Sequence, residues 1–201
     1  MPALICGSLA FDTITLFPGR FAQQILPEQV HILNVSFLVP TLRREWGGCA
    51  GNIAYTLKML GGEPVVLAAM GEDGQEYLAR LNSMGIDTSS IRIDGEHHTA
   101  QCMIITDQDN NQITAFHPGA MSVAHLAAVP TRAQRPDLSI GIIAPDGREA
   151  MAAHAQQMHA ELQTLPVNVI GERFEAFITC GAGKSIHRRQ QSAEGVHRQR
   201  R

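Results

Sequence analysis

The chain has 201 residues, 44% of them apolar and 17% charged, and a formal net charge of −3 from 16 basic and 19 acidic side chains. This is the composition of a globular domain: it is too acidic for a general nucleic-acid binder, and no apolar run approaches the roughly 20 residues of a membrane helix. The opening MPALICGSLAFD lacks a basic stretch followed by an apolar run and a cleavage site, so it reads as a first core strand and not a signal peptide, which implies a cytoplasmic protein.

In chain order, residues 3–9 form a continuous apolar run of strand length, and residues 12–16 alternate as a half-exposed strand does. After Pro18-Gly19 and Pro27, residues 31–38 (HILNVSFL) again read as a strand. A helix is expected over 52–60, stopped by Gly61-Gly62, then a buried strand over 64–70 and a second helix over 75–84 closed by Gly85. Residues 100–106 and 112–117 flank the polar stretch Asp107-Gln108-Asp109-Asn110-Asn111 and read as a hairpin. A strand over 138–144 ends at Pro145-Asp146-Gly147, and a helix follows over 148–162. Strands alternating with helices imply parallel crossovers, with the outlying strands forming a small sheet above the switch point where ligands bind. Beyond residue 163, 165–170 reads as a strand and 172–179 as a short element. The ending CGAGKSIHRRQQSAEGVHRQRR has few apolar residues and no amphipathic period, so poor order is expected there.

Cys6, Cys49, Cys102 and Cys180 show no CxxC spacing, which fits reduced thiols better than disulfides or zinc. His97 and His98 are adjacent and His154 and His159 five apart, so neither pair shares a helix face and no metal site is expected. The basic cluster His187-Arg188-Arg189 with Arg198, Arg200 and Arg201 reads as a solvated tail.

The segment richest in chemistry is GGCAGNIAYTLKMLGGEPVVLAAMG, residues 47–71. Gly47 and Gly48 let the backbone approach a ligand with no side chain between, Asn52 offers both a donor and an acceptor, and the following helix aims its first amides at the same spot. Polyhydroxylated ligands suit such a cradle. Gly-Gly, three residues, Asn52, the small Ala54, then Gly61 and Gly71 resemble the first signature of the ribokinase-like (PfkB) carbohydrate and nucleoside kinase family. Gly7-Ser8 followed by Asp12 resembles the family's sugar-binding aspartate, and Gly85-Ile86-Asp87-Thr88 its turn before the lid. TAQCMII at 99–105 and Phe116-His117-Pro118-Gly119-Ala120 continue in family order.

The resemblance implies an α/β fold, a parallel sheet flanked by helices with a small β-lid. It would occupy residues 1–162 as the N-terminal part of a kinase domain, with lid strands at about 11–17, 31–38, 99–106 and 112–117. An aberrant tail would fill 163–201. It implies Asp12, Gly47, Gly48 and Asn52 as substrate-binding residues, with Cys102, Ile104 and Phe116 as lid or pocket contacts. Taken singly, Asp12 also fits a turn former, Asn52 a helix start, and Cys102, Ile104 and Phe116 simple packing. The implied reaction is phosphoryl transfer from ATP, with magnesium, to a primary hydroxyl, adenosine being the first substrate expected and ribose or another sugar the second.

The resemblance stops near Glu161. The family draws its base and anion hole from a late Asp-Thr-x-Gly-Ala-Gly-Asp segment, whereas here Lys184 follows Gly181-Ala182-Gly183, and the family's Asn-x-x-Glu motif is absent. Gly183-Lys184-Ser185 imitates a P-loop end, but the required first glycine falls at Ile178. The expectation is a truncated, inactive member with no catalytic residue retained, such as an interrupted frame would leave, or alternatively a catalytically silent sugar- or nucleoside-binding remnant. A cut sheet would expose an edge and favour aggregation, and the lid strands offer a route to a dimer.

Overall fold

A computed structural model describes residues 2–138, 140–161 and the backbone of 167–169. Its first layer is a five-stranded parallel sheet in the order β5-β4-β1-β8-β9. The members are β1 (Pro2–Cys6), β4 (Glu63–Gly71), β5 (Asp87–Asp94), β8 (Ile140–Ile143) and β9 (Val167–Val169). β1 pairs with β4 on one side and β8 on the other, so the strand order reverses around its C-terminal end. In open α/β sheets such a reversal leaves a crevice.

Helices cover both faces of this sheet, which is why its central strands read as continuous apolar runs. Ile5, Val66, Ala68 and Met70 pack on one side with Ala50 and Ala54 of α1 (Cys49–Met59) and Tyr77 and Leu81 of α2 (Gln75–Ser83). Leu4, Cys6, Val65 and Leu67 face the other side, against Met158 of α3 (Arg148–Glu161) and the loop residues Ala127, Val129 and Leu138. The two sets alternate along β1 and β4 as a pleated strand requires.

The second layer is a four-stranded sheet in the order β3-β2-β6-β7, built from β2 (Ala10–Leu16), β3 (Thr41–Gly47), β6 (Ala100–Thr106) and β7 (Gln112–His117). β2 and β6 run parallel, and β3 and β7 are antiparallel edges. Phe11 seats this lid on the main layer through a ring 5.8 Å from that of Tyr77 on α2, and lies 5.7 Å from the ring of Trp46 on β3. At the far end Asp107 accepts hydrogen bonds from the amides of Phe21, Asp109 and Asn111, tying the β6–β7 turn to the segment after β2. Phe21 there stacks on Phe17, and Phe37 meets Phe17 edge-on.

The hairpin and the helices after residues 74 and 147 lie where the sequence places them, and α1 starts three residues earlier, at Cys49. The strand expected over 31–38 does not form. A 3-10 helix spans Pro27–Ile32, nucleated by Pro27 in its first turn, and 33–38 has no regular structure, with Leu38 85% exposed. The lid's edge strand is instead β3, whose TLRREWG is exposed almost throughout and so carries no apolar alternation. β5, a polar edge strand, was also not expected from the sequence. β1 stops at Cys6 because residues 7–9 leave the main layer for the lid. Cys6, Cys49 and Cys102 are free thiols. Cys180, the element expected over 172–179, the expected poor order of the tail and Gly181-Ala182-Gly183-Lys184 lie outside the described residues. Of the strand expected over 165–170, Val167–Val169 is present.

Candidate functional site

Within the described residues the chain passes between the two layers four times, and two of these passages meet at the end of β1. Ser8 binds both neighbours: its amide donates to the carbonyl of Pro145 after β8 (3.2 Å), while its carbonyl accepts from Ala50 N (3.0 Å) and its hydroxyl from Cys49 N (3.1 Å). Gly48, the residue before α1, has φ 89°, and a Cβ there would collide with the carbonyl of Ser8 and come within 2.7 Å of Leu9 Cα. Only glycine satisfies both demands.

Asp12 lies directly over the neighbouring glycine. A Cβ on Gly47 would sit 2.5 Å from Asp12 Oδ2, so the carboxylate occupies the space a side chain would fill. The Gly47 carbonyl accepts a hydrogen bond from Tyr77 Oη at 2.8 Å. Burial, then the charge of Asp12, push the Tyr77 phenol up, with Arg80 opposing, so it stays protonated and remains a donor.

Across the lid, Asp12 pairs in register with Glu45 on β3 and Cys102 on β6, and Cys102 pairs with Phe116 on β7. Residues paired across a ladder share a face, so these side chains form one row. Ile14, Ile104 and Thr114 form the next row on that face. Asp12 and Cys102 are buried, and Phe116 keeps 38% of its surface exposed. The structure therefore brings Asp12, Gly47, Gly48, Cys102, Ile104 and Phe116 to one region. Asn52 stands on the first turn of α1, exposed, its amide donating to Gly48 O at 3.1 Å.

Sequence reasoning missed Asp146 at this crevice. It is 2% exposed; Oδ1 accepts from Gly147 N at 2.8 Å, while Oδ2 is buried without a protein partner. Burial pushes the carboxyl up to about 7, only partly opposed by the Gly147 amide. Burial likewise raises the Cys49 thiol; the Ser8 hydrogen bond lowers it, and Asp146 and Asp12 raise it further, so Cys49 is no thiolate nucleophile at neutral pH. Asp146 follows a strand in a Pro-Asp-Gly turn, where a carboxylate is an ordinary turn former, and nothing in that triplet signals burial.

A parallel sheet clothed by helices on both faces, a β-lid, and a glycine cradle where the layers meet define a ribokinase-like sugar or nucleoside kinase fold. Residues 22–180 match the pfkB family of carbohydrate kinases, and the chain belongs to that family. It is similar to the nucleoside kinase of Methanocaldococcus jannaschii, 37% identical over 89 residues that make up 43% of this chain and 30% of that protein. The nucleoside kinase of Burkholderia thailandensis solved with inosine superposes with a TM-score of 0.69 at 43% identity, over 83% of this chain and 51% of that one. The same enzyme solved with ADP-inosine gives 0.64 at 46% identity, over 83% and 51%. The chain thus spans about half the length of that solved relative, and its alignment covers less than a third of the curated one.

Proposed function

We propose that this chain carries the acceptor-binding half of an ATP-dependent nucleoside kinase and grips the ribose of a purine nucleoside, adenosine before free ribose or another sugar. The observation that carries this reading is the row Asp12, Cys102 and Phe116 standing beside the bare backbone of Gly47 and Gly48. In it, Asp12, which the bare Gly47 admits against the backbone, accepts hydrogen bonds from two vicinal hydroxyls, and Asn52 adds a donor and an acceptor. Phe116 offers a half-exposed ring to a base, Ile104 an apolar wall, and the lid excludes water. Similarity to nucleoside kinases, one of them solved with inosine, supports a nucleoside over a free sugar.

Magnesium ATP would supply the phosphoryl group. Among the described residues no three His, Cys, Asp or Glu side chains converge to hold a metal ion. The second reading is a catalytically silent nucleoside binder. It is favoured by Lys184, which stands after Gly181-Ala182-Gly183 where the family's pattern has its aspartate base. Both readings place the kinase-like unit at 1–162, the protein in the cytoplasm, and self-association at the lid strands or an open sheet edge. Among the described residues no helix is long and apolar enough to cross a membrane.

Titration calorimetry of the full chain with inosine, adenosine and ribose, without ATP, tests the reading. Nucleoside binding weakened at least about tenfold in Asp12→Ala is expected, since a buried ligand hydroxyl would lose a charged acceptor. Ribose binding with no response to either nucleoside overturns the nucleoside assignment. A coupled assay separates the two readings: ATP turnover lost in Asp12→Ala supports a kinase, and background turnover in a nucleoside-binding chain supports the silent form.

A further inference from the structure

The other two passages between the layers, from β5 out to β6 and from β7 back to the 3-10 helix Gly119–Leu126, meet at Thr99. Thr99 is fully buried, and its amide and hydroxyl are both engaged. Its amide and its hydroxyl both donate to Asp73 Oδ1, at 2.7 and 2.8 Å, and the hydroxyl accepts from the amide of Gly71 at 3.1 Å. Gly71 ends β4, the most buried strand of the main layer, and Asp73 lies two residues on. From the other side the returning chain closes on the same peptide: Ala120 N donates to His98 O at 2.8 Å. Gly119, at φ 48°, passes so close that a Cβ would collide with that carbonyl.

The two crossing points are therefore built differently. At Ser8 and Gly48 the contacts are backbone amides, one hydroxyl and a left-handed glycine. At Thr99 a carboxylate fixed to the main layer grips the first residue before β6, and three residues later Cys102 enters the row shared with Asp12 and Phe116. A charged acceptor taking two donors from one buried residue is among the stronger neutral-partner hydrogen-bond arrangements, and it leaves that residue little freedom.

We propose that Asp73 is a positioning residue of the ligand site: by holding Thr99 at the edge of the main sheet it fixes where the lid's Asp12–Cys102–Phe116 row hangs over the Gly47–Gly48 cradle. Asp73 touches no ligand in this arrangement: its Oδ1 holds Thr99, and its Oδ2 faces His98 Nδ1 at 3.8 Å, on the residue before. The inference rests on the nucleoside-site reading for its binding readout and on the lid geometry for its exchange readout.

The test compares the full chain with Asp73→Ala, Thr99→Val and Thr99→Ser by inosine calorimetry, thermal melting and amide hydrogen exchange. Asp73→Ala and Thr99→Val are expected to weaken inosine binding about tenfold or more and to speed exchange across β6 and β7, while the amides of β1 and β4 keep their protection. Thr99→Ser keeps the hydroxyl and is expected to bind within about twofold of the parent chain. Inosine affinity unchanged in Asp73→Ala and Thr99→Val, with only the melting temperature lowered, overturns the proposal, because a merely structural latch would act in that way. If Asp73→Ala does not fold, the Thr99→Val and Thr99→Ser pair decides. If the parent chain binds no nucleoside, the functional reading fails, and the exchange of β6 and β7 against β1 and β4 decides the latch separately.

Discussion

Eight of the nine residues of β4 are buried, whereas all six residues of β7 are exposed. The main sheet draws its stability from apolar faces covered by helices on both sides. Among the described residues the lid is held by the Phe11 ring, a carboxylate knot at Asp107, and four passages of chain back to the main layer. The difference separates two tasks. The layer that carries the folding free energy supplies the cradle's floor, and the lightly packed layer supplies the side chains that would meet a ligand, so the lid's position depends on the crossings at Gly48 and Thr99.

The largest expected effect is in the main layer. Leu67→Ala, at a fully buried position on β4, should cost about 2–5 kcal/mol by denaturant unfolding, while Ile113→Ala on the exposed β7 should stay within about 0.5 kcal/mol. Comparable losses at the two sites would erase the contrast.

Next comes Asp146 at the boundary. Its folded carboxyl, raised from an ordinary 3.8 to about 7, favours the folded state below the unfolded value, and that contribution is lost as pH rises through 7. Asp146→Asn, which cannot ionise, should therefore match the parent near pH 4 and exceed it in stability by up to about 4 kcal/mol at pH 8. Equal pH profiles for parent and variant would mean that Oδ2 is solvated or paired in solution.

The smallest effect should be confined to the lid. Burial works against the charge on Asp107, but hydrogen bonds from Phe21, Asn111 and Asp109 outweigh it and hold the carboxyl below its usual range, so its grip on the hairpin weakens only in acid. Asp107→Ala should speed exchange of the Phe21, Asp109 and Asn111 amides by roughly tenfold and leave β1 and β4 unchanged. A global loss of protection would show the two layers to be one cooperative unit.

What the sequence revealed follows the same division. β4 was legible because a strand buried on both faces is an unbroken apolar run, and the Gly47-Gly48 cradle because only glycine tolerates the backbone there. β3 was not, since an edge strand exposed on both faces leaves no period to read. The apolar residues of 31–38 misled because hydrophobicity alone does not supply a pairing partner, and Pro27 had already set a helical turn. Asp12 stands out through its place after Gly7-Ser8, where it resembles the family's sugar-binding aspartate. Asp146, Tyr77 and the grip of Asp73 on Thr99 depend on contacts between residues 26 or more apart in sequence, or on burial created by the whole fold, which no local pattern encodes.

On the proposed reading, the lid's Asp12 row and the Gly47–Gly48 backbone form one nucleoside cradle. Amide hydrogen exchange of the full chain with and without saturating inosine checks this. Slower exchange is predicted in β2, β6 and residues 47–52, with β5 and the outer face of α3 unaltered. Inosine binding that leaves the exchange of β2 and residues 47–52 unchanged, or that protects a different face of the molecule, would contradict it.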